Sequence, residues 1–263
     1  MNKRERIVVK VGTSTLTHPS GRTDFREMDA LVRVIADLQN RGYLMTLVTS
    51  GAIGVGVAKL GLPARPGDIP SKQAAATVGQ CELMYIYDKM FSGYGQKVGQ
   101  LLITKSDVES APRHRNLMSA MEQLYAWNVI PIINENDAVA VEEIVYGDND
   151  NLSAIVARLV SAHRLIILTD IDGLYDSNPK TDANAKLVEV VEAITPEISK
   201  LAKGAGSNLG TGGMITKLQA ASLACAAGID THVINSRPVD NIYRVLEGKP
   251  TGTWFKAVKP GVG

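Results

Sequence analysis

Cysteine is scarce in this sequence, with two in 263 residues, Cys81 and Cys225. They lie far apart, each in an apolar helical stretch, and no CxxC pair or Cys/His ligand spacing occurs. That leaves no basis for a zinc or disulfide framework, and both are read as buried, reduced thiols. Histidine is also sparse: His18, His114, His163 and His232 are scattered without metal-ligand spacing and read as surface or structural. Neither sign of charge is in excess. Lys plus Arg is 28 against Asp plus Glu 27, a formal net charge of +1, which argues against a broad nucleic-acid surface and leaves room for a local basic pocket. No apolar run approaches the length of a membrane span. The apolar stretch after the charged N-terminus is five residues long, Ile7 to Val11 excluding Lys10's charge, too short for a signal peptide, so a cytoplasmic location is expected.

Several catalytic signatures are missing as well. Gly54-x-Gly56 is followed by Lys59 where a dinucleotide fingerprint needs its third glycine. No Gly-Lys-[Ser/Thr] closes a Walker A loop. No His-Arg-Asp, Asp-Phe-Gly or Gly-x-Ser-x-Gly occurs. There is no internal repeat and no low-complexity segment.

What is present is an ordinary soluble composition, 45% hydrophobic and 21% charged, long enough for one large or two modest domains. Strand-like and helix-like stretches alternate. Strands are expected over residues 7–11, 44–49, 98–104, 129–134, 165–170 and 232–234, with a short hairpin strand over 142–146. Helices are expected over 25–41, 71–94, 113–127, 152–160, 196–203, 214–227 and 239–246, and 63–70 reads as a loop. Such alternation predicts a mainly parallel sheet with helices on both faces.

The residues that could carry chemistry fall where strands end. Lys10 interrupts a β-branched run that enters Gly12-Thr13-Ser14. A lone strand lysine commonly marks an edge strand; the glycine and hydroxyls beyond it favour an anionic partner instead. Leu44 to Thr49 runs into Ser50-Gly51-Ala52, a strand, a glycine turn and a helix start, which together offer backbone N–H groups to an anion. Residues 129–134 end in Glu135-Asn136-Asp137, at the end of a parallel strand where open sheets bind ligands. Gly147-Asp148-Asn149-Asp150-Asn151 precedes a helical run. It reads either as a capping turn or as a joint between two lobes, and Leu152 and Ser153 stand where a calcium loop needs a ligand and a glycine. A glycine-dense loop ending Thr211-Gly212-Gly213, with Lys217 in the next helical turn, is the strongest phosphate signal. Two lysines, several anion cradles and few general bases suggest phosphoryl transfer, which depends on positioning and charge neutralisation. A carboxylate acceptor, with an ordinary pKa of about 4.3, is already ionised and needs no base.

Six stretches resemble the amino acid kinase family: Val9-Lys10-Val11-Gly12-Thr13-Ser14, Val48-Thr49-Ser50-Gly51-Ala52-Ile53, Ile133-Asn134-Glu135-Asn136-Asp137, Gly147 to Ala154, Leu168-Thr169-Asp170-Ile171-Asp172-Gly173-Leu174-Tyr175, and Gly210 to Lys217. They run from residue 7 to about residue 254. The Asn-Glu-Asn-Asp and Gly-Asp-Asn-Asp stretches point to the members that act on free glutamate.

The resemblance implies a three-layer αβα sandwich around a mainly parallel open sheet, occupying residues 1–255. A glutamate-binding lobe would span about 1–150 and a nucleotide-binding lobe about 151–255, with 256–263 as a tail. Many members carry a C-terminal PUA domain, and none is expected in this sequence. The implied reaction is ATP-dependent phosphorylation of the glutamate side-chain carboxylate, the first step of proline biosynthesis. Magnesium would be carried by the nucleotide with no protein metal ligand. Proline inhibition around 137–147 and a homo-oligomer, dimer or tetramer, are implied too; no nucleic acid or membrane partner is. Ser50, Asp137 and Asn149 would bind glutamate. Lys10, Thr169, Asp170, Thr211, Gly212, Gly213, Met214, Ile215, Thr216 and Lys217 would bind ATP. Lys10 and Lys217 would neutralise the moving phosphoryl group, Asp150 would hold both lysines, and the N–H groups of Gly12 and Gly51 would meet phosphoryl oxygens. A related kinase acting on acetylglutamate, aspartate, carbamate or UMP is the first alternative, and a non-enzymatic sensing module the second. Asp137 weighs against the first, because most of those acceptors lack an α-ammonium; the retained lysines and Asp150 weigh against the second.

Overall fold

The computed structural model describes residues 4–18, 22–140, 149–179, 181–204 and 213–258. Its centre is one eight-stranded sheet in the order β3-β4-β2-β1-β5-β7-β8-β6. The strands are β1 (Arg6–Lys10), β2 (Leu44–Val48), β3 (Lys97–Ile103), β4 (Val129–Glu135), β5 (Arg164–Thr169), β6 (Val190–Val191), β7 (Asp230–Asn235) and β8 (Thr253–Phe255). β3 to β7 in that order pair in parallel, β8 runs antiparallel to β7, and β6 runs parallel to β8. β1, β2 and β5 are buried almost end to end, as expected for strands covered on both faces.

The helices are α1 (Thr13–Leu16), α2 (Phe25–Asn40), α3 (Ala52–Leu60), α4 (Ile69–Gly93), α5 (Lys105–Glu109), α6 (Ala111–Ala126), α7 (Asn149–Leu159), α8 (Pro196–Gly204), α9 (Met214–Ala226) and α10 (Asn241–Leu246). Two apolar cores lie on opposite faces of the sheet. Ile7 and Val9 of β1 pack with α2, α4 and α10 residues such as Leu31, Tyr87 and Ile242. Val8 packs on the other side with Ala154, Ala157, Leu218 and Ala221 of α7 and α9. The period-two alternation of a strand then puts Lys10 on Val8's face, under α7 and α9. The result is the expected three-layer αβα sandwich.

For Lys10 the anionic-partner reading holds and the edge-strand one does not. β1 is central, paired with β2 and β5, and Lys10 is 7% exposed; an anionic partner, not solvent, accommodates its charge. The loop expected over 63–70 is also shorter than read. α4 starts at Ile69 because Asp68 accepts from the Ser71 N–H and Pro70 occupies the first turn, where its missing N–H costs nothing. Asn149, Asp150 and Asn151 belong to the first turn of α7, so the expected turn over 147–151 is a helix start in its described part. Gly147, Asp148 and the hairpin strand read over 142–146 lie outside the described residues. Of the two cysteines, Cys225 is buried, but Cys81 is exposed on the outer side of α4. No helix of the described residues is long and apolar enough to cross a membrane.

Candidate active site

Parallel strands β1, β2, β4, β5 and β7 all end at one edge of the sheet, and the polar residues read from the sequence collect there. Lys10 is the last residue of β1. Its ammonium lies 2.6 Å from Oδ1 of Asp150, which is fully buried. The ammonium of Lys217, in the first turn of α9, lies 3.2 Å from Oδ2 of the same carboxylate. Thr216 Oγ1 donates to Oδ2 at 2.7 Å. One carboxylate thus spaces two buried ammonium groups, one on each oxygen, and the three side chains together carry one net positive charge. Burial opposes ionisation of Asp150, but the two lysines outweigh it and hold its carboxyl below the ordinary value.

Two glycine turns flank this cluster. Gly12 precedes α1, and a Cβ there would lie 3.6 Å from Lys10 Nζ, an ordinary contact distance that puts this turn next to the lysine. Gly51 precedes α3 with φ +99, a left-handed conformation that favours glycine. A Cβ on Gly51 would meet Thr13 at 3.6 Å, so the two turns face one another. Gly12 thus lies beside Lys10, and Gly51 beside Thr13.

Asn149 sits one residue before Asp150 and faces the other way along the edge. Its Nδ2 has three acceptors within reach for its two hydrogens: the Thr49 carbonyl at 2.6 Å, Asn134 Oδ1 at 2.8 Å and Ser50 Oγ at 2.9 Å. Asn134 Nδ2 donates in turn to Gln80 Oε1 at 2.8 Å. Ser50 and Asn149 are therefore in direct contact. Asp137 lies in the segment after β4 and belongs to no hydrogen bond described for this network. Burial pushes its carboxyl up to about 6, partly offset by Arg65. A carboxylate held in that state gains from an ammonium-bearing ligand.

On the other side, Thr169 ends β5 and is buried, with its hydroxyl donating to Asp170 Oδ1 at 3.2 Å, while Asp170 itself is exposed. Gly213 and Thr216 open α9, Met214 is buried in the core, and Ile215 is 43% exposed. Thr211 and Gly212 lie outside the described residues. The sequence reading gave Thr216 no contact with Asp150, and gave Asn134 and Gln80 no role. Asn134's place at the end of a parallel strand was a usable signal; Gln80, mid-helix and far away in sequence, offered none.

A buried carboxylate dividing two lysines, at the carboxyl edge of a parallel sheet and between glycine turns, defines a phosphoryl-handling α/β enzyme core. The amino acid kinase family model matches residues 5–235, and the chain belongs to that family. Solved structures share the fold: UMP kinase from Ureaplasma parvum has a TM-score of 0.66 at 17% identity, covering 97% of this chain and 99% of that one. Carbamate kinase from Giardia lamblia bound to AMP-PNP has a TM-score of 0.67 at 17% identity, with the same coverage. Relatives named glutamate 5-kinase are far more similar. That of Clostridium tetani is 51% identical over 253 residues, 96% of this chain and 95% of that protein. That of Clostridium acetobutylicum is 51% identical over 262 residues, 97% of this chain and 98% of that protein. That of Caldanaerobacter subterraneus is 50% identical and longer, the match covering 97% of this chain and 68% of that protein. Within its family the chain belongs to the glutamate 5-kinases.

Proposed function

We propose that this chain transfers the γ-phosphoryl group of ATP to the side-chain carboxylate of L-glutamate, giving L-glutamyl 5-phosphate and ADP, the first step of proline biosynthesis. The observation that carries the reading is the Lys10–Asp150–Lys217 cluster, next in sequence and space to the Asn149–Ser50 contact. A glutamate carboxylate oxygen attacks the γ-phosphorus as the bond to the β–γ bridging oxygen breaks, and ADP leaves with the electron pair. The acceptor is ionised at neutral pH, so no general base is required. Lys10 and Lys217 neutralise the charge spread over the phosphoryl oxygens, and the N–H groups of Gly12 and Gly51 add fixed donors. Asp150 keeps the two ammonium groups apart and aimed.

Ser50 and Asn149 hold glutamate, and Asp137 receives its α-ammonium. Thr169, Asp170 and the 211–217 stretch hold the nucleotide. Magnesium would arrive with the nucleotide and help neutralise its phosphate charge. The acceptor lobe is residues 1–150 and the nucleotide lobe 151–255, on one shared sheet. Inhibition by proline at the glutamate site, a cytoplasmic location and assembly into a homo-oligomer complete the reading.

The test is ADP release with purified protein, ATP and magnesium against a panel of acceptors: glutamate, acetylglutamate, aspartate, carbamate and UMP. Glutamate-dependent release well above all others is expected. Preference for another acceptor, or no release with any, would overturn the reading.

A further inference from the structure

We propose that Gln80 is a positioning residue for the acceptor, acting through Asn134 to fix the carboxamide of Asn149. The inference rests on the reading that Asn149 and Ser50 hold glutamate. A carboxamide has two chemically distinct ends, and the chain here has a forced direction. The Thr49 carbonyl can only accept, so it fixes the Asn149 NH2 towards itself at 2.6 Å. That NH2 also meets Asn134 at 2.8 Å, so Asn134 must present its oxygen there and turn its own NH2 outward. The outward NH2 finds its acceptor in Gln80 Oε1 at 2.8 Å. Asn134 and Gln80 are buried, 2% and 8% exposed, so water does not readily replace either partner.

The far end of the chain marks its terminus. Gln80 Nε2 is a buried donor with no acceptor among the described residues. A glutamine kept there for stability alone would be a poor choice, since an apolar side chain leaves no such group. The acceptor end of Gln80 is what the arrangement uses.

The backbone under Gln80 is fixed by the same contact that seats the substrate turn. A Cβ on Gly79 would lie 1.8 Å from the Ala52 carbonyl, at the start of α3 and just after Ser50-Gly51. α4 touches the turn again through Tyr87, whose hydroxyl is 2.9 Å from Thr49 Oγ1. α4 thus references both the turn and the amide chain, and Gln80 links the two.

The experiment compares Gln80→Met, which keeps the volume and removes the acceptor, with Gln80→Glu, which keeps an acceptor for Asn134. For Gln80→Met, KM for glutamate should rise about 10-fold, with kcat and KM for ATP within about twofold of wild type. Gln80→Glu should restore KM for glutamate to within about threefold. Asn134→Ala breaks the same chain from its other end and should show the same split, which keeps the test available if Gln80→Met does not fold. Unchanged KM for glutamate in Gln80→Met or Asn134→Ala, or equal rises for glutamate and ATP with no rescue by Gln80→Glu, would overturn the assignment alone. Absence of glutamate turnover in the wild-type protein would overturn it together with the functional reading beneath it.

Discussion

The Lys10 ammonium, at the end of a central strand, lies 2.6 Å from Oδ1 of Asp150 in the first turn of α7. Lys217 takes the other oxygen at 3.2 Å. A fully buried carboxylate between two ammonium groups leaves the cluster one positive charge in excess, facing the negative charge spread over the transferring phosphoryl oxygens. Replacing Lys10 or Lys217 by Met should therefore lower kcat by about 10²–10³-fold, as loss of a preorganised donor to developing charge does. KM for glutamate should move far less. Steady-state kinetics with glutamate and ATP varied separately checks this, and a Lys217→Met enzyme with near-normal kcat contradicts it.

Neighbouring residues should divide the work. Asn149 contacts Ser50, whereas Asp150 contacts the lysines. Asn149→Ala should mainly raise KM for glutamate, by about 10-fold or more, while Asp150→Asn should mainly lower kcat. The same kinetic series reads both, and the reverse pattern means that the two roles are exchanged.

Asp137 makes a prediction about pH. Its carboxyl is pushed up to about 6 by burial, so its ionised form costs stability at neutral pH, on the order of 1–3 kcal/mol. The cost is fully present above pH 6 and disappears as the pH falls towards the unfolded value near 3.8. His232 acts oppositely. Burial, and Arg164 beside it, hold its pKa down to about 4, so its contribution to stability is lost as the pH falls from about 6.5 to about 4. The two slopes largely cancel in the wild type. Asp137→Asn should melt higher than wild type at pH 7.5, lose most of that advantage by about pH 4.5, and bind glutamate worse at pH 7.5. Melting curves at several pH values test the sign; a lower melting temperature at pH 7.5 contradicts it.

Two glycines should resist the usual rule that Ala improves a helix. A Cβ on Gly56 would lie 1.8 Å from the Ala75 carbonyl, and one on Gly79 equally close to that of Ala52. Gly56→Ala and Gly79→Ala should each destabilise by about 1–3 kcal/mol or more. At Gly93, where nothing lies within 4 Å, Ala should be neutral or stabilising by up to about 1 kcal/mol. Thermal denaturation of the three variants separates the cases.

Much of this was legible in the sequence because local chemistry dictated it. The buried strands were readable from β-branched runs, and the glycine turns and their lysines from the needs of an anion. Features set by distant partners were not. Asp150 was linked to Lys10 only through the family resemblance, because the two lie far apart along the chain and nothing local pairs them. β8 is three residues long and exists only by pairing with β6 and β7. The start of α4 falls inside the segment read as a loop over 63–70, although Asp68 and Pro70 are good start signals. Cys81 was taken as buried because apolar neighbours in sequence do not say which face of a helix a residue occupies. The amide chain through Asn134 to Gln80 joins three elements that only the fold assembles.

The central claim is transfer to a carboxylate, and trapping the product tests it most directly. Hydroxylamine added to protein, ATP, magnesium and glutamate should convert the acyl phosphate to γ-glutamyl hydroxamate, in step with ADP release and abolished in Lys217→Met. ADP release without hydroxamate, or hydroxamate independent of glutamate, would contradict the account.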